Sequence, residues 1–566
     1  MRSDEVAERS FQDLPPSSSY ETAMEALSSL IYSVKHGDRS SIDGTTSGRY
    51  GKLERMHIYL KMLSLEEHIA GLKIIHVAGT KGKGSTCAFC EAILRECGFR
   101  TGLFTSPHLI DVRERFRIDG LDISEYKFLQ YFWDCWNQLK EKIMEDLPMP
   151  PLFQFLTLLA LKIFVCEKVD VAIIEVGLGG ELDSTNVIKE TLVCGISPLG
   201  MDHTEILGNT LAKIAFHKAG IFKHKVPAFT VPQPSEAMDV LQRRASKLMV
   251  PLQVASPLDP EKLNGVKLSL SGDHQFINAG LAVALCRCWL QSTRNSEELF
   301  ENNSSDFPEE FLKGLSTAHL AGRAQIVHDI IKGSSCGDLI FYLDGAHSPE
   351  SMEVCAKWFS SAVKEDNISS SSFGNEKMKE SLSNCAGQHR KQNFEGSKRI
   401  SKQVLLFNCM DVRDPQILLP QLVNDCASSG IHFSKSLFVP SMSKYYKVTS
   451  GTTVMSADCF PKDLSWQFTL QGIWEKIMHG KDAILEENCK KDKSVTSTFD
   501  GSLFGDSPQK CNPSEGHFAC SAVIPSLSLT IKWMRDSVKK NPSVRVQVLV
   551  TGSLHLVGDV LKLLRR

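Results

Sequence analysis

The sequence lacks the features that would place it in several simple functional classes. Its 64 Lys and Arg residues nearly balance 66 Asp and Glu residues over 566 positions, so no charge excess indicates a nucleic-acid or membrane-surface partner. The most apolar run, 152–165, is interrupted by polar residues and is too short to span a bilayer. Asp4, Glu5 and Glu8 make the first ten residues unlike a signal or transit peptide. We expect a monomer of the cytoplasm and leave an organellar isoform open.

The cysteines show no ordered arrangement. The 17 residues are scattered singly, without metal-ligand pairs, and Cys87, Cys90 and Cys97 fall inside an apparent helix. This distribution is typical of a reducing compartment, where thiols pack as small hydrophobic side chains.

What the chain does contain is a glycine-rich turn with a lysine inside it, at 79–86. An apolar run at 73–77 precedes the turn, and helical periodicity follows it as far as Gly98. Such a turn between a strand and a helix directs backbone N–H groups and the positive helix end into one concavity. The sequence therefore predicts a phosphate-binding loop in which Lys83 reaches the terminal phosphates and Ser85 or Thr86 meets a metal ion.

Apolar strands alternate with helical periods in two blocks, which predicts parallel sheets covered by helices. The predicted strands are 73–77, 100–105, 169–174 and 192–196 in the first block, and 339–343, 403–407 and 544–550 in the second. The fold class is therefore α/β, with a P-loop ATPase-like parallel-sheet domain followed by a smaller Rossmann-like α/β domain. A chain of 566 residues is also too long for one ordinary core.

The predicted organisation has three parts. They are an N-terminal extension with an amphipathic helix (1–49), the P-loop domain (50–325) and the smaller domain (326–566). Two stretches rich in Ser, Asn, Lys and Gln, at about 369–402 and 488–515, are interpreted as flexible insertions in the smaller domain.

Polar residues follow three predicted strands of the first block. Glu175 ends one strand and precedes a glycine-rich run, Ser106 follows a second, and His203 follows a third. The carboxyl ends of parallel strands meet at one crevice, so we expect these side chains to converge there. A carboxylate is a good ligand for Mg²⁺ and an imidazole a poor one, which ranks His203 below Glu175 as a metal ligand.

Three arginines alternate with apolar residues after the second strand. Arg113, Arg115 and Arg117 fit two interpretations equally well, a solvated hairpin face or a basic rim for a polyanionic ligand.

A larger set of motifs resembles the folylpolyglutamate synthase family of the Mur-ligase superfamily, in its plant-like form. The matching segments are His76–Thr86, Thr105–Leu109, Glu175–Gly180, Asp202–Thr204, Lys218–Ile221, Gly272–Ala279, Gly322–Gln325 and Asp344–His347. The resemblance covers most of 50–360 and resumes at the C-terminal strand and helix.

The resemblance implies an ATP-dependent ligase with ATP, a reduced folate and L-glutamate as its partners. Phosphorylation of the folate γ-carboxylate would form an acyl phosphate, which the glutamate amino group attacks. By the same resemblance, 50–325 is the ATP-binding central ligase domain and 326–566 the glutamate-ligase domain. Mg²⁺ is the implied metal, and a monovalent cation such as K⁺ is left open.

The resemblance also assigns roles to individual residues. The implied catalytic residues are Lys83, Lys218 (in carbamylated form) and His347; the ATP contacts are Thr80, Lys81, Gly82, Lys83, Gly84, Ser85, Gln275, Asn278, Arg323 and Asp344; and the metal ligands are Ser106, Glu175 and His203. Some positions depart from the family pattern. His217 stands where Glu is common, and Leu320-Ala321 stand where Trp-Pro is frequent. Glu181 and Ser184 alter the usual run that follows Gly179-Gly180.

Two alternatives stay open from the sequence. Dihydrofolate synthase shares the fold and chemistry but uses dihydropteroate as its acceptor. The other alternative, a P-loop nucleotide switch or kinase, belongs to another class. The second predicted domain argues against it, because Asp344 and His347 follow the first strand of that domain, and a simple switch needs no second domain to present an acceptor amine.

Overall fold

The computed structural model describes residues 19–32, 50–293, 308–329, 338–376, 400–443, 448, 463–479 and 520–565. These residues form two units, and the chain passes from the first to the second between Leu320 and Ala321. Ser271–Asp273 group with the second unit, and His274–Leu320 with the first.

The first unit is built on a sheet that has eight strands in the described part of the chain. Its order is β4-β3-β2-β5-β1-β6-β7-β8. The strands are β1 Ile74–Ala78, β2 Thr101–Phe104, β3 Phe116–Ile118, β4 Leu121–Asp122, β5 Val171–Glu175, β6 Val193–Ile196, β7 Ala228–Thr230 and β8 Leu252–Val254. All neighbours pair in parallel except the β2–β3 and β3–β4 pairs. The carboxyl ends of β2, β5, β1 and β6 therefore meet at one edge.

Helices cover both faces of this sheet, so every residue of β1 is buried. They are α1 Tyr20–Tyr32, α2 Lys52–Met62, α3 Glu66–Ala70, α4 Lys83–Glu96, α5 Glu125–Lys140, α6 Leu152–Cys166, α7 Thr204–Leu207, α8 Leu211–Lys218, α9 Ser235–Lys247, α10 His274–Ser292 and α11 Glu309–Thr317. Ile75 and Val77 face a core that α4, α10 and α11 complete, whereas Ile74 faces the core of α1, α5 and α6. Side-chain caps begin several helices, as at Ser124 for α5 and Thr210 for α8.

The second unit contains a smaller sheet, with the order β13-β12-β11-β14-β10-β9 in the described residues. Its strands are β9 Gln325–His328, β10 Asp338–Leu343, β11 Ile400–Phe407, β12 Phe433–Phe438, β13 Cys520–Val523 and β14 Val544–Thr551. Its helices are α12 Pro349–Glu376, α13 Pro415–Ser428, α14 Ser465–His479, α15 Leu527–Lys540 and α16 Leu554–Leu564. Only β9 pairs antiparallel. The prediction of two α/β blocks is confirmed.

The insertion predicted at 369–402 is too long at both ends. Helix α12 continues to Glu376, and β11 already begins at Ile400. The helix extends past Phe359 because Met352, Phe359 and Val363 keep helical spacing, and all three are fully buried. Positions 377–399, like the whole of the second predicted insertion at 488–515, lie outside the described residues.

Candidate active site

The glycine-rich turn connects β1 to α4, as the sequence predicts. Gly79 and Gly82 have φ of 149° and 77°, which side-chain-bearing residues rarely adopt. A Cβ on Gly79 would lie 1.9 Å from the Ser197 hydroxyl, and one on Gly82 would lie 2.1 Å from the Asn278 amide oxygen. Only glycine fits at either position, so the loop is shaped by contacts as well as by backbone freedom.

The loop is attached to the segment that follows β6. The amides of Thr80 and Lys81 both donate to the Pro198 carbonyl, at 3.0 and 3.1 Å. The Thr80 hydroxyl donates to the Gly200 carbonyl at 3.2 Å, and the Ser197 hydroxyl to the Lys81 carbonyl at 2.7 Å. The amides of Thr80 and Lys81 are therefore already used within the protein, whereas the first-turn N–H groups of α4 have no intrahelical acceptors.

Three lysines surround the loop. Lys218 Nζ, at the end of α8, donates to the Gly79 carbonyl at 2.6 Å, and Lys83 Nζ donates to the Thr80 carbonyl at 3.4 Å. Lys81 pairs with Asp202 at 2.9 Å. Burial and then the neighbouring Lys83 charge hold the pKa of Lys218 well below its usual 10.5. The shift favours the neutral amine form of Lys218 relative to an exposed lysine.

The Glu175 carboxylate faces the first turn of α4. The residue ends β5 and is 4% exposed, and its Oε2 accepts the Ser106 amide at 2.9 Å. A Cβ on Gly84 would lie 3.5 and 3.8 Å from the two carboxylate oxygens. Of the three strand-end residues expected to converge, Ser106 and Glu175 lie together, joined by the hydrogen bond from the Ser106 amide.

His203 is presented differently. It has a left-handed backbone with φ of 51°, its side chain is 43% exposed, and Nδ1 lies 3.6 Å from Glu205 Oε1. Among the described residues, no group of three or more His, Cys, Asp or Glu side chains is arranged to hold a metal. Glu175 and Ser106 supply the oxygen donors that suit a hard cation, so this part of the predicted set fits a divalent metal.

The predicted amide contacts, Gln275 and Asn278, lie against the loop from α10. Gln275 Nε2 donates to the Ser85 hydroxyl at 3.4 Å, and Asn278 Nδ2 donates to Gln275 Oε1 at 3.0 Å. Both residues are 1% exposed, and Asn278 Oδ1 is buried without a hydrogen-bond partner. The pair supports the loop, and it leaves one buried acceptor beside Gly82.

Asp183 was missed as an organising residue. Its carboxylate accepts the amides of Leu178 and Thr185, at 2.9 and 3.0 Å, and the Thr185 hydroxyl at 2.6 Å. It thereby holds the glycine-rich turn that follows Glu175. The same hydroxyl lies 2.9 Å from His76 Nε2, so that nitrogen carries the proton, and burial lowers the pKa of His76 to about 3. The sequence signal that could have identified Asp183 was the presence of an acidic residue in this glycine-rich run.

The segment that carries Ser106 folds around two buried charges. Glu114 accepts the amides of Leu109, Ile110 and Asp111, at 2.7 to 3.1 Å. Arg115 is 8% exposed and donates from Nε to His108 Nδ1 at 2.9 Å. Burial lowers the pKa of Arg115 to about 10, against the opposing charges of Glu175 and Glu114.

This burial contradicts both sequence interpretations for two of the three arginines. Arg115 and Arg117 are each 8% exposed, so they form neither a solvated hairpin face nor a solvent-facing basic rim. Arg117 instead pairs with Asp122 at 3.1 Å across the β3–β4 hairpin. For Arg115, the expected β-alternation is interrupted because Val112–Arg115 forms a 3-10 turn.

Helix α1 fixes the base of the Ser106 segment. The Tyr20 hydroxyl donates to Asp111, whose carboxylate also accepts the Arg113 amide at 3.0 Å and its Nε at 3.1 Å. The Arg113 guanidinium lies 5.2 Å from the Tyr20 ring centroid. Burial and the Asp111 charge raise the pKa of Tyr20, so the phenol stays a donor. The hydrogen bond from Tyr20 to Asp111 thus links the predicted N-terminal helix to the segment that carries Ser106.

Tyr20→Phe tests this link. Losing a hydrogen bond to a buried carboxylate costs about 1.5–3 kcal/mol, and the ring that packs on Arg113 remains. We expect faster amide hydrogen exchange across 109–115 and lower turnover. Tyr126→Phe, at a tyrosine that is 57% exposed on α5, is the matched control. Unchanged exchange in Tyr20→Phe would contradict the link.

In the second unit, Asp344 follows β10 and organises the turns around Arg323 and His347. Its two carboxylate oxygens accept the amides of Ala324 and Ala346, at 2.9 and 3.0 Å. A Cβ on Gly345 would lie 3.0 Å from Arg323 Nη1, and His347 Nδ1 lies 2.8 Å from the Gly345 carbonyl. The sequence-predicted residues of the second unit thus share one loop cluster.

In the part of the chain that the structure describes, no helix is long and apolar enough to cross a membrane.

A glycine-rich loop that faces a strand-end carboxylate, in a chain with a second α/β unit, is the arrangement expected from the sequence resemblance to two-domain ligases of the Mur type. No protein-family model matches the chain. Two folylpolyglutamate synthases of Arabidopsis thaliana do: one is 61% identical and covers 98% of this chain and 88% of the relative, and the other is 53% identical with 97% and 89% covered. The mitochondrial folylpolyglutamate synthase of Homo sapiens is 35% identical, with 97% and 92% covered. The chain therefore belongs to the folylpolyglutamate synthase family, in its plant-like form.

Solved structures agree on the fold. Mycobacterium tuberculosis folylpolyglutamate synthase complexed with ADP has a TM-score of 0.63 at 18% identity, with 96% of this chain and 99% of that chain covered. Escherichia coli FolC in complex with DHPP and ADP has a TM-score of 0.58 at 20% identity, with 95% and 97% covered. The predicted fold class is confirmed, and membership in the family removes the nucleotide switch and the kinase.

Proposed function

We propose that this chain uses ATP to add L-glutamate to the γ-carboxylate of reduced folates, one residue after another. The observation that carries the proposal is the start of α4, where Lys81, Lys83 and Lys218 surround the glycine loop and Glu175 faces the first helical turn. The 61% identity to a folylpolyglutamate synthase supports the same assignment.

The chemistry explains why so many cations are gathered. A carboxylate is a poor acyl donor, and transfer of the ATP γ-phosphoryl group to its oxygen creates an acyl phosphate with a good leaving group. The glutamate amino group then attacks the acyl carbon, and the tetrahedral intermediate collapses to an amide and phosphate. The reacting carboxylate and phosphate are both anions, so Lys83 and the first-turn N–H groups of α4 hold them together.

Ser106, Glu175 and His203 are the proposed ligands of Mg²⁺, which would neutralise phosphate charge when bound. Glu175 is the strongest candidate, because its carboxylate is buried and faces Gly84. Ser106 adds a hydroxyl from the neighbouring strand end. His203 contributes the least suitable donor for a hard cation.

Lys218 is proposed to act as a carbamate. Its amine would take up CO₂ and release a proton, which requires the neutral form. The low pKa of the buried amine favours that form. A carbamate would place a new anion beside Lys83 and Lys81, whose positive charges lie close enough to depress the pKa of Lys218.

The second unit is proposed to bind glutamate, and residues 50–325 to bind ATP. The proposed site residues of the second unit are Arg323, Asp344 and His347. Arg323 would neutralise phosphate, Asp344 would contact the nucleotide, and His347 would lie near the incoming glutamate amine. Their common loop cluster supports this grouping. A monomer and a cytoplasmic location complete the proposal, although the name of the human relative leaves an organelle equally open.

Product analysis tests the function. With ATP, Mg²⁺ and L-glutamate, we expect the purified protein to convert monoglutamyl tetrahydrofolate into a ladder of γ-linked products. Mass spectrometry would show a gain of one glutamyl unit at each step.

Dihydropteroate is the deciding alternative acceptor. Its carboxylate sits directly on the aromatic ring and would have to enter deeper, so we expect it to react poorly. A single addition to dihydropteroate without extension of tetrahydrofolate would make the protein a dihydrofolate synthase. ATP turnover that ignores both acceptors would remove it from the ligases.

A further inference from the structure

A basic groove lies between α8 and α9, on the first unit. It has a volume of about 470 Å³ and is lined by Lys213, Phe216 and His217 of α8 and by Arg243, Arg244 and Lys247 of α9. This volume is within the range of small-molecule sites, roughly 300–1,000 Å³. None of these residues was assigned a role above.

The positive charge of the groove is largely uncompensated. Arg244 pairs with Glu181 at 3.4 Å. Within the described residues, Lys213, Arg243 and Lys247 have no carboxylate within ion-pair distance: Lys213 reaches only the Asn209 amide oxygen and Arg243 only a backbone carbonyl. Three such cations around one concavity favour an anionic ligand.

The groove also offers an aromatic surface. Phe216 is 45% exposed although it is a large apolar side chain, and its ring centroid lies 5.5 Å from the Arg244 guanidinium carbon. An exposed ring that already packs against a guanidinium suits a ligand with a flat aromatic group. The groove therefore combines a stacking surface with several separate positive charges.

The basic residues of the groove lie at the carboxyl ends of their helices. Arg244 and Lys247 lie in the last turn of α9, and His217 lies in the last turn of α8. Carboxyl-terminal turns present no free N–H groups, so the groove lacks the backbone donors that commonly bind a compact phosphate cluster. Carboxylates spaced along a chain need only the separate side-chain cations that the groove supplies.

We propose that the α8–α9 groove is a second binding site for folates that carry a γ-glutamyl tail, a proposal that rests on the proposed function. The aromatic part of the folate stacks on Phe216, and the tail carboxylates contact Arg243, Lys247 and Lys213. Bound carboxylates also compete with Glu181 for Arg244. Since the Glu181 amide donates to the His217 carbonyl at 2.7 Å, next to Lys218, occupancy is sensed beside the active-site loop.

The test measures binding by the full-length protein without ATP, so that no turnover occurs. The probes are pteroyl-γ-triglutamate, γ-triglutamate without the ring, and ADP. The test variant is Arg243→Glu/Lys247→Glu, both exposed positions, with Arg243→Gln/Lys247→Gln as a milder version should charge reversal disturb the helix end. Lys262→Glu/Lys267→Glu, at exposed lysines away from the groove, is the matched control for net charge.

We expect pteroyl triglutamate to protect 213–217 and 243–247 from hydrogen exchange in the wild type and the control. In the groove variants, that binding should weaken about tenfold or more. Equal binding by all proteins, or no protection of these segments, would overturn the proposal. Protection by ADP alone would make the groove a nucleotide site, and equal protection by the ring-free triglutamate would remove the role of Phe216.

A ligation assay run in parallel separates the two proposals. A protein that shows the groove protection but ligates no glutamate would keep the site and lose the proposed function. If the protein builds polyglutamates but the groove variants bind pteroyl triglutamate normally, the proposed function stands and the groove site is disproved.

Discussion

Lys83→Ala is expected to abolish ligation while leaving the fold intact. Within the described part of the chain, the ammonium group donates a hydrogen bond only to the Thr80 carbonyl, at 3.4 Å, and the residue is only partly buried. Removing one charge that stabilises a transition state lowers kcat by about 10²–10³-fold. We expect a loss of at least that size in kcat/KM, measured by glutamate incorporation, with an unchanged melting temperature.

Lys262→Ala is the control, because it removes one exposed lysine at a distance from the loop. A Lys83→Ala protein with wild-type melting temperature and near wild-type turnover would disprove the phosphate-binding role of the loop. An unfolded variant would instead show that Lys83 is structural, and circular dichroism distinguishes the two results.

Glu175→Gln is expected to raise the Mg²⁺ concentration needed for half-maximal activity about tenfold or more, because a neutral amide replaces an anionic ligand. The amide oxygen can still accept the Ser106 N–H, so the strand end keeps its contact. The substitution also removes a negative charge that acts on buried Arg115. We therefore expect a lower melting temperature as well.

His203→Ala separates the metal effect from the stability effect. The side chain of His203 is 43% exposed, and an imidazole is a poor ligand for a hard cation, so its loss should shift the Mg²⁺ titration less and leave the melting temperature nearly unchanged. If neither variant moves the Mg²⁺ titration, the metal ligands lie elsewhere in the protein.

Several candidate site residues were proposed from the sequence because their signals are local. Gly79, Gly82 and Lys83 stand in one short run between a strand and a helix, and Glu175 closes an apolar strand of five residues. Parallel pairing of β1 with β5 then brings both to the same sheet edge. Strand and helix periodicity also predicted both α/β blocks.

Other predictions depended on contacts that periodicity cannot show. Arg115 was assigned to an exposed face, yet a 3-10 turn turns it inward beside His108. The insertion predicted from 369 overlaps the end of α12, which continues to Glu376, because the polar end of a long helix resembles a polar insertion in sequence. Asp183 went unassigned, since its importance comes from the amides that it accepts.

The sequence by itself determined the family, the fold class and the position of the glycine-rich loop, since each depends on neighbouring residues and on strand order. Only the tertiary structure decided which charges are buried and therefore altered. Lys218 lies 139 positions from Gly79, and it becomes a buried amine with a low pKa only after folding brings the two into contact. The same is true of the α8–α9 groove, whose cations gather from two helices. Desolvation and the proximity of charges depend on the folded structure, so the sequence pattern alone does not show them.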